Sequence, residues 1–202
     1  IIMDWAPLCN YTHYSLLKGF SKPSELAKKC SENGYKFCGI TDYKSISGAI
    51  SFYKACRVND IKPIIGCTFD GFSLLARNKN GWFDLISIVS SISKDGQADK
   101  KLLSKICAVG NLVCVCDKME DSPVRSDLTF IKDSSLRDIY YTERSDAELH
   151  RILLCSSLKT TLPKIHTKLK NGEAEDIKKF FDRADYHLPD SLEITELVCS
   201  EG

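Results

Sequence analysis

The chain reads as an α/β protein with a parallel sheet, and three observations carry that expectation. Phe37 to Ile40 is a short apolar run ending at Asp42. Ile46 to Arg57 repeats apolar residues at helical spacing, with Ala49, Phe52 and Cys56 on one line and Ile46, Ile50 and Tyr53 on the next. Pro63 to Cys67 is a second apolar run. Strand, helix and strand in so short a space make a βαβ unit, which requires the two strands to lie parallel. Near-continuous apolar runs fit that reading, because parallel strands are buried on both faces. Chemistry in such sheets collects where strands end at their carboxyl edge, so Asp42-Tyr43 and Cys67-Thr68 are the first residues to examine.

The same segment resembles the PHP (polymerase and histidinol phosphatase) domain at the N-terminus of bacterial DNA polymerase III alpha subunits, the C-family replicases. That family reads Ile-Thr-Asp-His, Gly-Ala, Phe-Tyr-Lys-Ala-Cys and Ile-Lys-Pro-Ile-Ile-Gly-Cys-Glu. Here the run is Ile40-Thr41-Asp42-Tyr43, Gly48-Ala49, Phe52-Tyr53-Lys54-Ala55-Cys56 and Ile61-Lys62-Pro63-Ile64-Ile65-Gly66-Cys67-Thr68. Tyr43 replaces a histidine and Thr68 a glutamate. The resemblance implies a distorted (β/α)7 barrel.

At 202 residues the chain fits one domain with a substantial core, and 43% hydrophobic content is ordinary for a globular protein. A net charge of +1 excludes an overall basic field, so any DNA contact by this piece must be weak and local. The ten cysteines are scattered and lie mostly in apolar runs, which favours buried reduced thiols over a disulfide scaffold. No apolar stretch reaches the ~20 residues that span a bilayer. Ile1 to Pro7 lacks the pattern of a signal peptide, so a cytosolic location, bacterial or phage-infected, is expected.

Upstream, Pro7 to Tyr11 is a short strand candidate. The following Tyr14-Ser15-Leu16-Leu17 aligns with the family's His-x-His-Ser-Glu-Tyr-Ser-Leu-Leu. That alignment puts Cys9 and Tyr11 at the two metal-binding histidines and His13 at the glutamate. Ser21 with Pro23 signals the start of a helix running to Cys30, and Asn33-Gly34 its stop.

Downstream, Phe72 to Asn78 matches the family's His-Leu-x-Leu-Leu-Ala-Lys-Asn strand after a shortened excursion, with Gly71 at the histidine. A helix is expected from Phe83 to Ile92, a loop from Ser93 to Lys100, and a short helix from Lys101 to Cys107. Strands are expected at Leu112 to Cys116 and Leu128 to Ile131. A strand places Cys114 and Cys116 on one face, where they either hold a soft metal or pack in the core.

Asp138-Ile139-Tyr140-Tyr141 matches Asn-Asp-Val-His-Tyr, so Tyr140 takes another histidine's place. Asp146 to Cys155 matches the Asp-Ala-Glu-x-His helix, where His150 reads as a surface or capping histidine. Lys164, His166, Lys168 and Lys170 read as a solvated basic face, with a DNA or polymerase contact as the sharper alternative. Leu192 to Cys199 resembles the helix that closes the PHP region.

An active PHP site holds metal ions that lower the pKa of a bound water and clamp phosphate oxygens. Imidazoles and carboxylates suit such ions, whereas ionising a phenol at pH 7 costs roughly 4 kcal/mol. Carried over residue by residue, Asp42 and Asp138 keep their carboxylates while Cys9, Tyr11, Tyr43, Thr68, Gly71 and Tyr140 replace ligands. The resemblance therefore implies a degenerate metal site with no cofactor, its phenols hydrogen-bonding Asp42 and Asp138. The domain then serves as a scaffold for the rest of a polymerase chain, its thumb and palm region, with a proofreading exonuclease or other replisome protein as a further partner. Two alternatives stay open. One is a working zinc or manganese phosphoesterase or 3′-5′ exonuclease using Asp42, Asp138, His13 and Cys9. The other is a free-standing replication interaction module. No Pro-Asp-x-Asp-like polymerase palm occurs in this chain.

Overall fold

In a computed structural model, residues 6–95, 100–116, 129–132 and 138–189 are described. The expected βαβ unit is present: β1 (Phe37–Ile40), α2 (Ala49–Val58) and β2 (Lys62–Thr68), with β1 and β2 parallel and Ile40 level with Ile65. The helix starts three residues later than its periodicity suggests. Lys44 takes a left-handed φ of 50° and Ile46 receives the Ala49 amide, so the stretch before Gly48 is a turn.

Before β1, α1 (Pro23–Glu32) buries Leu26, Ala27 and Cys30. Its N-cap is Lys22, whose amide donates to the Glu25 carboxylate, while Ser21 instead pairs with Thr12. Asn33 and Gly34, the latter at φ 78°, end the helix as expected.

The sheet is mixed, not wholly parallel. Its order is β1-β2-β3-β4-β5, with β3 (Ser73–Ala76), β4 (Leu112–Cys116) and β5 (Thr129–Lys132). β3 runs antiparallel to both β2 and β4, and β4 and β5 are parallel. The cause is the shortened excursion: β2 turns directly into β3 through residues 69–72, leaving no length for a crossover. α3 (Lys79–Asp95) and α4 (Lys100–Cys107) then separate β3 from β4. α3 continues past Ile92 into the stretch expected to be loop.

Beyond β1 the sheet continues in single bridges. The Gly39 and Thr41 amides donate to the Pro7 and Asn10 carbonyls, and the Tyr11 amide donates to Ile139 while Ile139 donates to Cys9. The Tyr140 amide then donates to the Tyr186 carbonyl, and the Leu188 amide to the Tyr141 carbonyl. The expected strand at Pro7 to Tyr11 is thus sheet-like pairing on both sides without a formal strand. Gly39 permits this approach, since a Cβ there would lie 2.2 Å from the Leu8 carbonyl oxygen.

Alternation along the strands divides the core. Ile64, Leu75, Val113 and Val115 face inward with Leu8 and Cys9. Leu74, Leu112, Cys114 and Cys116 face outward against α3 and α4, and β1 packs Cys38 and Ile40 with Leu26, Cys30, Phe52 and Cys56. Burying such a side chain contributes about 1.5 to 3 kcal/mol, so these layers hold the sheet's shape. Cys9, Cys30, Cys38, Cys56, Cys67, Cys114, Cys116 and Cys155 are buried and form no disulfide, and Cys114 and Cys116 pack in the outer layer with their sulfurs 4.0 Å apart. The C-terminal part is helical: α5 (Ala147–Ser157), α6 (Leu162–Lys170) and α7 (Glu175–Asp182) surround Tyr141, Leu154, Ile165, Ile177 and Phe180. Leu192 to Cys199 lies outside the described residues.

Candidate functional site

The carboxyl edge of β1 delivers Asp42 into a buried position, 1% exposed. Three donors converge on it. The Thr12 amide reaches Oδ1 at 2.7 Å, Thr12 Oγ1 reaches Oδ2 at 2.8 Å, and Ser15 Oγ reaches Oδ1 at 2.6 Å. Burial pushes the Asp42 carboxyl above its usual range, and these three hydrogen bonds oppose the shift. Asp42 is thus satisfied by hydroxyls and an amide. The expectation that phenols would do this is corrected here, and Thr12 and Ser15 are the partners of Asp42 that residue-by-residue alignment missed. Ser15 Oγ also accepts the Tyr43 amide at 3.0 Å, so one hydroxyl fixes both Asp42 and the backbone after it.

Tyr43 turns outward. Its phenol donates to Asp70, and Lys18 Nζ sits 3.6 Å from its ring centroid, with Lys44 at 5.1 Å. Lys44 pairs with Asp70 at 2.6 Å, and its hydrogen bond holds the Asp70 carboxyl below the usual range. Asp70 is largely exposed, so this cluster contributes little to stability.

Thr68 shares a hydrogen between its Oγ1 and Ser73 Oγ at 2.7 Å and donates to the Tyr11 phenol at 3.4 Å. Tyr11 in turn stacks on Tyr140, with centroids 4.5 Å apart and planes 11° from parallel. Tyr140 is enclosed by Phe180 and Tyr186, each edge-on at 80°. Burial first, and the nearby Asp138 charge second, raise the Tyr140 phenol well above its ordinary range, which keeps it neutral. Asp138 pairs with Lys179 at 3.8 Å.

The remaining positions disperse. Cys9 points into the inner core against Leu75 and Val115. Gly71 is a left-handed turn residue, φ 86°, between β2 and β3. His13 is exposed, rests on the Tyr14 ring at 4.4 Å, and places Nδ1 3.4 Å from the Ser21 carbonyl. Among the described residues no three His, Cys, Asp or Glu side chains converge as a metal-holding group.

His150 also departs from expectation. It is 1% exposed, its Nε2 lies 2.6 Å from the Lys18 carbonyl oxygen, and it packs among Tyr140, Tyr141 and Phe180. Burial lowers its pKa to about 4, so the neutral ring donates Nε2–H to that carbonyl and ties α5 to the loop carrying Ser15.

Residues 8–124, more than half of the chain, match the family model described as the PHP domain. The chain belongs to the PHP domain family. This PHP domain is similar to parts of several curated proteins named DNA polymerase III subunit alpha. That of Buchnera aphidicola from Schizaphis graminum is 37% identical over 105 residues, 46% of this chain and 9% of the relative. That of Chlamydia pneumoniae is 28% identical over 185 residues, covering 74% and 14%. That of Bacillus subtilis is 34% identical over 116 residues, covering 50% and 10%. This PHP domain therefore spans less than a fifth of the length of these relatives. A Bifidobacterium adolescentis structure described as a metal-dependent phosphoesterase covers 92% of this chain and 58% of its own, at 14% identity and a TM-score of 0.35, too slight a likeness to argue from. No described helix is long and apolar enough to cross a membrane.

Proposed function

We propose that this chain is the single PHP domain of a C-family replicative DNA polymerase, acting in DNA replication in the cytosol as a structural and partner-binding domain without phosphoesterase activity. One observation carries the reading: the surviving Asp42 has its oxygens occupied by Thr12 and Ser15. A metal ligand needs lone pairs facing a shared centre, and three of the roughly four on Asp42 face protein donors. The donor set does not fit a polynuclear ion site. Tyr11 and Tyr140 fill space with stacked neutral rings, Cys9 faces a hydrocarbon core, and Asp138 is paired with Lys179.

In this reading the (β/α)7 barrel is kept for its shape. The bridges from Cys9 and Tyr11 to Ile139, and from Tyr140 and Tyr141 to the segment at His187, extend the sheet past β1 in the sense that barrel closure needs. The remainder of the polymerase chain is its first partner, and a proofreading exonuclease or another replisome protein a second.

The test is elemental analysis of protein purified without chelator, together with phosphoesterase assays in added manganese and zinc. The expected result is less than one tenth equivalent of metal and no hydrolysis above the blank. Stoichiometric zinc, manganese or iron, or metal-dependent turnover, would overturn the proposal.

A further inference from the structure

The short turn between β2 and β3 has an effect on the opposite, outer side of the sheet. No crossover helix follows β2: α2 packs on β1 and β2, and α3 on β2 and β3. A groove of about 410 Å³ results. Its floor is Pro63, Ile65 and Ala76, and its walls are Ile50 and Tyr53 of α2 and Trp82 of α3. Ile50 is 58% exposed and Tyr53 48%. A second depression of about 720 Å³ adjoins it, the two sharing Tyr53 and Pro63 in their linings.

The chemistry of the rim is one-sided. Arg77 borders the first depression, and Lys36, Arg57 and Lys62 border the second, against the single carboxylate of Asp60. An apolar trough with cationic edges fits an amphipathic segment that presents leucine-like anchors and flanking carboxylates. Charge of this sign repels a basic segment and draws an acidic one, giving selectivity as well as rate.

We propose that this groove is a docking surface for an acidic amphipathic segment of a separate protein, with apolar anchors against Ile50, Tyr53 and Trp82 and carboxylates against Arg57 and Lys62. The inference goes beyond the metal-free reading of the site and stands whether or not that reading holds, since the groove lies on the outer layer and shares no residue with it.

The experiment titrates the whole 202-residue chain with two labelled synthetic peptides, followed by fluorescence anisotropy. One carries leucine at every third or fourth position with glutamates between, and its twin has lysines in place of the glutamates. The glutamate peptide is expected to bind at least tenfold more tightly than the twin. Ile50→Asp and Arg57→Glu, both at exposed positions, each weaken it at least tenfold while the far-ultraviolet circular dichroism stays unchanged. Equal binding of the two peptides, absence of binding, or full affinity in both variants would overturn the proposal. Leu192→Asp with Leu197→Asp tests the chain's own C-terminal segment as occupant: unchanged peptide affinity supports a partner in trans, and a tenfold gain refutes it.

Discussion

Tyr11 and Tyr140 lie face to face across the junction of two sheet segments, 4.5 Å between ring centroids. Their backbones are linked through Ile139, whose carbonyl accepts the Tyr11 amide. Stacked rings of this kind add about 0.5 to 1.5 kcal/mol beyond the area they bury, and they need no ionised partner. Tyr11 and Tyr140 thus hold this junction by dispersion.

That arrangement predicts a split between two substitutions at one site. Tyr140→Ala removes a ring packed by Tyr11, Phe180 and Tyr186 and should cost about 3 to 5 kcal/mol in urea unfolding. Tyr140→Phe keeps the ring and should cost less than about 1 kcal/mol. Equal losses would show that the phenol oxygen matters more than the stack.

Thr12→Val and Ser15→Ala each remove a hydroxyl donor from a carboxylate that is buried at 1% exposure. Each should destabilise the protein by about 1 to 3 kcal/mol at pH 7 and push the Asp42 pKa further up. Asp42 already has a raised pKa, so it favours the folded state at acid pH and loses that contribution as pH rises through its folded value. Carboxyl carbon NMR of the titrating chain reads the shift, and an unchanged Asp42 resonance in Ser15→Ala would refute the assignment.

His150 sets a pH dependence of the opposite sense. Its folded pKa is about 4 against an ordinary 6.5, so the folded chain resists the proton that the unfolded chain accepts. Its contribution is complete above pH 6.5 and declines as pH falls toward 4, by on the order of 3 kcal/mol. Urea midpoints measured across this range should show the slope in the native chain, and His150→Leu should flatten it. A native chain with no loss between pH 6.5 and 4.5 would contradict the burial.

Chelation offers a simple contrast. If the mouth of the sheet is held by hydroxyls and rings, dialysis against EDTA should leave the melting temperature unchanged within about 1 °C, because nothing bound to the folded state is withdrawn. A fall of several degrees, restored by zinc or manganese, would show an ion that stabilises the fold.

The βαβ unit was legible because Phe37 to Ile40 and Pro63 to Cys67 are apolar runs around a periodic helix. The reversal of β3 was not, since apolar alternation is the same in either direction and only the length of the connection decides. The partners of Asp42 were hidden because Thr12 and Ser15 are small polar residues that sequence reading assigns to turns and caps. His150 could have been found: Ala147, His150, Leu154 and Cys155 repeat at helical spacing on the buried face of α5, and the imidazole simply occupies an apolar place in that row. The dispersal of Cys9 and His13 needed coordinates, because strand alternation sends one inward and the turn after Thr12 sends the other to solvent.

The abrupt return from Cys67 to Leu74 makes one sheet pairing local in a chain whose other strand neighbours lie far apart in sequence. Closing so small a loop costs little chain entropy, so β2 and β3 can meet before the distant partners at Ile139 and His187 arrive. Assembly of the sheet then has a built-in starting point, and substitutions in this hairpin should slow refolding where those near His187 mainly hasten unfolding.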